Sequence, residues 1–158
     1  NYRRETKEDR YHLRTYNVFS LAIMDRTMDI TRAKGMVKLI LDTIGVSELR
    51  IVRKDYQFPY FRPDTEYEIF GQDIEVGTFG LIDEGILRDA NIDASVLLMD
   101  IGIERLLMHR EGSPDIRLLS FPQYHATWDL SDNDLAASIS IHRTPQSEVG
   151  MQISASSF

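Results

Sequence analysis

The sequence has no cysteine, which excludes a disulfide and any thiolate metal site. It has no apolar run near the roughly 18 residues a membrane helix requires, and its polar start does not suit a secretory signal. A soluble cytoplasmic protein without membrane contact is therefore expected. The four histidines, His12, His109, His125 and His142, lack metal-ligand spacing, which argues against zinc. Nucleophile-elbow, phosphate-loop and dinucleotide-fingerprint patterns are all missing. Basic residues are in the minority, 18 against 25 acidic, for a net charge of −7. That balance does not suit a domain gripping nucleic acid over its whole surface. The lone Trp128 reads as a core residue, not a stacking platform.

What is present is ordinary globular material. The 158 residues, 42% hydrophobic and 27% charged, are enough for one domain with a real core, and no repeat or linker divides them. Tyr2 to Thr6 reads as a short strand, Lys7 to Arg10 as a charged loop, and Tyr11 to Asp25 as a long returning strand. Asp29 is placed to cap a helix to about Thr43, with Met36, Val37, Leu39, Ile40 and Ile44 at helical spacing and Gly45 as its stop. A strand from Glu48 to Arg53 and a loop with Pro59 and Pro63 come next. Two strands, Glu66–Phe70 and Ile74–Leu81, are then joined as a hairpin through Gly71-Gln72-Asp73. A short helix from Asp83, an apolar strand Ser95–Met99 and a helix Ile101–Arg110 follow. Ser113-Pro114-Asp115 reads as loop, Ser131-Asp132 as a cap for a helix to about Ala137, and Pro145 as the start of a last helix. Hairpins with helices between them predict an α+β fold: an antiparallel sheet flanked by helices, not a doubly wound parallel one.

Three constellations carry chemistry. In Tyr2-Arg3-Arg4-Glu5, Arg3 and Glu5 share one face of a strand, so a guanidinium and a carboxylate stand at fixed separation. The cluster Arg3, Arg4, Lys7, Arg10 and Arg14 on an acidic protein suits a phosphate-bearing small ligand better than a long polyanion. In Gly102-Ile103-Glu104-Arg105, Gly102 allows a ligand to approach the backbone. Arg105 sits in the first helical turn, where a cation is disfavoured unless it serves an anion or pairs with Glu104 or Asp100. In the acidic strands, Glu75 and Thr78 differ by an odd offset, so only a bulge near Gly77 brings both to one face. Carboxylates there suit magnesium shared with nucleotide phosphates; a plain solvated strand face is the alternative.

In this order the strings resemble the class II aminoacyl-tRNA synthetases. Tyr2-Arg3-Arg4-Glu5 with His12-Leu13 is similar to that class's second signature motif, and Asp100-Ile101-Gly102-Ile103-Glu104-Arg105 to its third. Arg62-Pro63-Asp64-Thr65-Glu66-Tyr67-Glu68, Ile74-Glu75-Val76-Gly77-Thr78-Phe79-Gly80, Phe121-Pro122-Gln123-Tyr124 and Leu130-Ser131-Asp132 resemble the O-phosphoseryl branch in the phenylalanyl-like group. The resemblance implies ATP and Mg2+ as cofactors. It implies tRNA and an amino acid, phosphorylated in this branch, as partners, and a homo-oligomer when the protein is intact. Carried over by position, Arg3 would meet the α-phosphate, Glu5 the adenine amino group and Arg105 the γ-phosphate. Glu75 would hold the metal, and Thr78 either joins that metal or lines the amino-acid pocket. Tyr16 and Gly102 would border the nucleotide, and Ser20 the amino acid.

Two departures qualify the resemblance. Asp100 stands where the third motif has its first glycine, bringing a charge to a place of close backbone contact. No first motif precedes Asn1 and no anticodon-binding part follows Phe158, so residues 1–158 are expected to be a partial catalytic domain. The competing expectation is a non-catalytic paralogue that binds nucleotide, tRNA or a partner subunit.

Overall fold

The structure, a computed structural model, describes residues 2–46, 48–127, 129–138 and 145–156, with side chains to 152. It divides into two compact units, residues 1–125 and 126–158. The first unit contains β1 (Tyr2–Arg4), β2 (Thr15–Asp25), α1 (Ile30–Thr43), β3 (Leu49–Arg53), β4 (Tyr67–Gly71), β5 (Ile74–Leu81), α2 (Glu84–Asp89), β6 (Ser95–Gly102), α3 (Ile103–Glu111), α4 (Ile116–Ser120) and α5 (Pro122–His125). Its strands form one sheet of order β1-β2-β6-β5-β4-β3, antiparallel at every pairing. The expected α+β class and antiparallel sheet are what the chain forms.

Alternation along the strands separates the two faces of the sheet. Leu97, Met99 and Ile101 of β6 and Phe79 and Leu81 of β5 turn to one side, where Ala33, Val37 and Leu41 of α1 cover them. Withdrawing Val37 and Leu41 wholly from water contributes about 1.5–3 kcal/mol each. Helix α1 begins where expected: the Asp29 carboxylate accepts from the Arg32 amide at 2.7 Å. The buried stripe is 33/37/41, flanked by Met36 and Ile40, whereas Leu39 and Ile44 face solvent although their spacing also fits a helix. Only packing selects among such stripes.

Several boundaries differ from the expected ones; β1, for one, ends at Arg4 and not at Thr6. The return strand begins at Thr15, not Tyr11, because the Asp9 carboxylate accepts from the Tyr11 amide and meets His12 Nδ1 at 2.7 Å, closing a tight turn. Strand β6 runs three residues past Met99, since Val18, Phe19 and Ser20 pair with Gly102, Ile101 and Asp100. Helix α3 accordingly starts at Ile103. Ser113 to Asp115 is loop as expected, and helices α4 and α5 follow in a stretch where no element was expected; Asp115 caps α4 by accepting from the Arg117 amide at 2.9 Å.

The second unit, taken by itself, holds α6 (Asp132–Ser138) and α7 (Glu148–Ser156). Ser131 caps α6 as expected, its hydroxyl accepting from the Asp134 amide while the Asp134 carboxylate accepts from the Ser131 amide. Trp128, expected in the core, lies outside the described residues. Among the described residues no helix is long and apolar enough to cross a membrane.

Candidate functional site

The sheet face away from α1 carries the site. Antiparallel register sets Ser20, Asp100 and Thr78 side by side on β2, β6 and β5, so their side chains leave the same face. Between β4 and β5 the register slips: Ile69 pairs with Gly77 but Phe70 with Glu75, leaving Val76 as the extra residue. This bulge sends Val76 into the core and brings Glu75 and Thr78, three positions apart, to one cavity. Gly77 beside it has a steric reason: a Cβ there would stand 2.3 Å from the Asp100 carbonyl oxygen.

That cavity, about 180 Å³, is lined by Arg3, Tyr16, Val18, Lys54, Phe58, Glu75, Val76, Gly77, Thr78, Asp100, Gly102 and Arg105. A smaller crevice adjoins it, sharing Tyr16, Gly102 and Arg105 and adding Glu5, Tyr11, His12, Leu13, Glu104 and Ile116. Of the residues singled out in the sequence, Arg3, Tyr16, Glu75, Thr78, Gly102 and Arg105 thus meet at one cavity, with Glu5 in its extension. Ser20 shares the face through its pairing with Asp100 but is exposed and outside the lining. A larger cavity of about 610 Å³ lies at the other end of the β2–β6 pair, around Arg26, Arg62 and Arg88. It holds none of the expected site residues.

Each cation in the site already has a partner. Arg3 reaches from the edge strand to Asp100, Nη2 to Oδ2 at 2.5 Å. Arg105 pairs with neither Glu104 nor Asp100. Its Nε donates to the Tyr11 carbonyl at 3.1 Å and its Nη1 to the Glu75 carbonyl at 3.1 Å, with the Glu75 carboxylate 3.5 Å away. Glu104 instead accepts from the Asn17 amide and side chain. Lys54 lies 3.2 Å from the wholly buried Glu66, 3.8 Å from Glu68, and over the Phe58 ring. The Glu66 Oε1 atom makes no directional hydrogen bond, so its contact with Lys54 is an ion pair only. Lys54, Phe58 and Val18 were not anticipated. Lys54 became recognisable only once strand pairing set it opposite Glu66.

Local environment tunes the acids. The Thr6 amide, donating to the carboxylate, holds Glu5 below its ordinary value. Burial pushes the Tyr60 phenol up, and the negative charge of Asp100 adds to it. Burial also raises Glu75; the positive charge of Arg105 offsets this in part, and Glu68 adds to it. A carboxyl with a folded value above its unfolded one loses stability as pH rises through the interval between them. Glu75→Gln is therefore expected to match or exceed the parent's melting temperature at pH 7 and show no gain at pH 4. A variant that melts lower than the parent only at pH 7 would mean the Arg105 attraction outweighs burial.

The family model for the class II core domain (F) of tRNA synthetases matches residues 1–128, and the chain belongs to that family. Among curated relatives, the O-phosphoserine--tRNA(Cys) ligase of Methanosarcina acetivorans is 30% identical over 168 residues, covering 96% of this chain and 31% of the relative. That of Archaeoglobus fulgidus is 30% identical over 169 residues, covering 98% and 32%. The chain thus spans about a third of the length of these relatives. A solved pyrrolysyl-tRNA synthetase from Desulfitobacterium hafniense superposes with a TM-score of 0.55 at 20% identity, over 72% of this chain and 40% of that one. At that identity the likeness speaks for the fold.

Proposed function

We propose that residues 1–158 are part of a synthetase catalytic domain that activates an amino acid, O-phosphoserine by its relatives, with ATP and passes it to tRNA(Cys). The observation that carries this reading is the convergence of Arg3, Glu5, Glu75, Gly102 and Arg105, from three separate stretches of chain, on one cavity and its extension. Gly102 fits a nucleotide: a Cβ there would meet only the Val76 carbonyl oxygen at 3.8 Å. Packing within the protein therefore does not require glycine, while a ligand lying across both crevices would.

In this reading ATP supplies an electrophilic α-phosphorus with pyrophosphate as leaving group. The chain's own residues orient and neutralise. Tyr16 and Glu5 border the base, and the Glu5 carboxylate accepts from its amino group. Arg3 and Arg105 would meet phosphate oxygens, and Glu75 would hold a magnesium ion, which would supply positive charge to the reacting phosphate. Among the described residues no group of three or more histidine or acidic side chains could hold a metal by itself. Thr78 lies beside Glu75 and opposite Asp100, bordering either the metal or the amino acid. No general base is needed, because alignment and charge stabilisation suffice. Oligomerisation and action in the cytoplasm belong to the same proposal.

The second reading, a paralogue that binds nucleotide, tRNA or a partner subunit without catalysis, rests on the Arg3–Asp100 pair, which occupies the expected α-phosphate ligand. Calorimetry with adenosine and ATP on this chain, followed by amino-acid-dependent pyrophosphate exchange on a longer protein that carries it, separates them. This chain is expected to bind both ligands weakly and to give no exchange by itself, since it spans a third of its relatives' length. Absence of adenosine binding would overturn the first reading and reduce the second to a paralogue that binds tRNA or a partner subunit, and robust exchange would overturn the second.

A further inference from the structure

The cations of the cavity are matched by acids within or beside it: Arg3 by Asp100, Arg105 by Glu75, and Lys54 by Glu66 and Glu68. The first pair differs from the others. Arg105 also holds two backbone carbonyls, and Lys54 answers a fully buried carboxylate, so both have structural work. The Arg3 guanidinium makes no hydrogen bond to a backbone carbonyl among those described. Its side chain is half exposed, while Asp100 is only 13% exposed. Asp100 is anchored mid-sheet between Ser20 and Thr78, so the carboxylate is the fixed member and the arginine the one drawn in.

We infer that Asp100 sets the ligand selectivity of this cavity: by engaging Arg3 it makes the site discriminate against bare polyphosphate. An entering polyanion has to displace the carboxylate from the guanidinium and then remain beside its negative charge in a partly desolvated place. A neutral ligand, or one carrying its own positive charge, meets no such barrier. The inference concerns the same cavity as the proposed nucleotide site, but its test needs no nucleotide.

The probe is inorganic tripolyphosphate in metal-free buffer, titrated calorimetrically into the parent chain, Asp100→Asn, and Arg3→Gln combined with Asp100→Asn. Removing the carboxylate's charge is expected to tighten binding by about tenfold or more, and the gain is expected to vanish in the double variant. Asp100→Ser, smaller and equally neutral, guards against an asparagine that still holds Arg3 through its amide oxygen, and thermal melts confirm that each variant is folded. Equal tripolyphosphate affinity in the parent and both neutral variants overturns the inference. So does a gain that survives loss of Arg3, because the carboxylate would then act as general charge and not through that arginine. Adenosine, titrated into the same proteins, reports on the nucleoside site alone. Its failure to bind would overturn the proposed function, and a tripolyphosphate gain seen at the same time would still uphold the role of Asp100.

Discussion

Arg105→Ala is expected to weaken ATP binding by about ten- to a hundredfold while leaving adenosine binding within about twofold, as expected for loss of one charge-assisted phosphate contact. In any adenylate-forming protein that carries this core, the same change is expected to slow pyrophosphate exchange by about 2–4 kcal/mol of transition-state stabilisation. The geometry adds a second consequence. Arg105 ties the Tyr11 turn and the Glu75 bulge together through two carbonyls, so the alanine variant is also expected to melt earlier. Arg105→Lys separates the two roles, because a lysine keeps the charge but cannot span both carbonyls with a planar fork. Calorimetry and thermal melts on the three proteins decide the matter. ATP affinity equal to the parent's in Arg105→Ala would make this arginine a structural tie and nothing more.

The largest effect on stability is expected at Glu66. Its side chain is wholly buried, and Oε2 accepts from the Phe58 amide at 2.6 Å while Oε1 lies 3.2 Å from Lys54 Nζ. Glu66→Ala leaves the Phe58 amide unpaired and the lysine facing only the more distant Glu68. Loss of one partner from a buried pair costs about 3–5 kcal/mol, and urea denaturation should register about the lower end of that range, since Lys54 is partly exposed. Replacing both partners with apolar residues, Lys54→Met and Glu66→Leu, is expected to recover a large part of the loss, because no uncompensated charge then remains. A Glu66→Ala protein within about 1 kcal/mol of the parent would show that the pair contributes little. The consequence reaches function, because the segment it anchors carries Phe58 into the cavity and Tyr60 close enough to feel the charge of Asp100.

Most of the fold was legible because it rests on short-range signals. Alternation in Ile74–Leu81, the Asp29 cap, and the Ser131–Asp134 box depend on residues within one turn or one strand of each other. The turn closed by Asp9 and His12, which delays the return strand from Tyr11 to Thr15, is hidden for the opposite reason. Its aromatic and branched residues favour a strand, and only the hydrogen bonds of Asp9 reveal the bend. The end of β6 was misplaced because a strand stops where its neighbours stop, and β2 pairs with it as far as Gly102.

The candidate site divides along the same line. By itself the sequence determined the composition of the site: two signature strings supply Arg3, Glu5, Gly102 and Arg105, and their order along the chain suffices to suggest the family. Tertiary structure alone decided who faces whom. The register slip at Val76 puts Glu75 beside Thr78, pairing across β2, β6 and β5 sets Asp100 within reach of Arg3, and the 54–66 segment delivers Lys54. The physical reason is that side-chain identity is a local property, whereas a charge acts on whatever strand pairing brings within a few ångströms of it. A carboxylate and a guanidinium 97 positions apart become partners only when the sheet between them has formed.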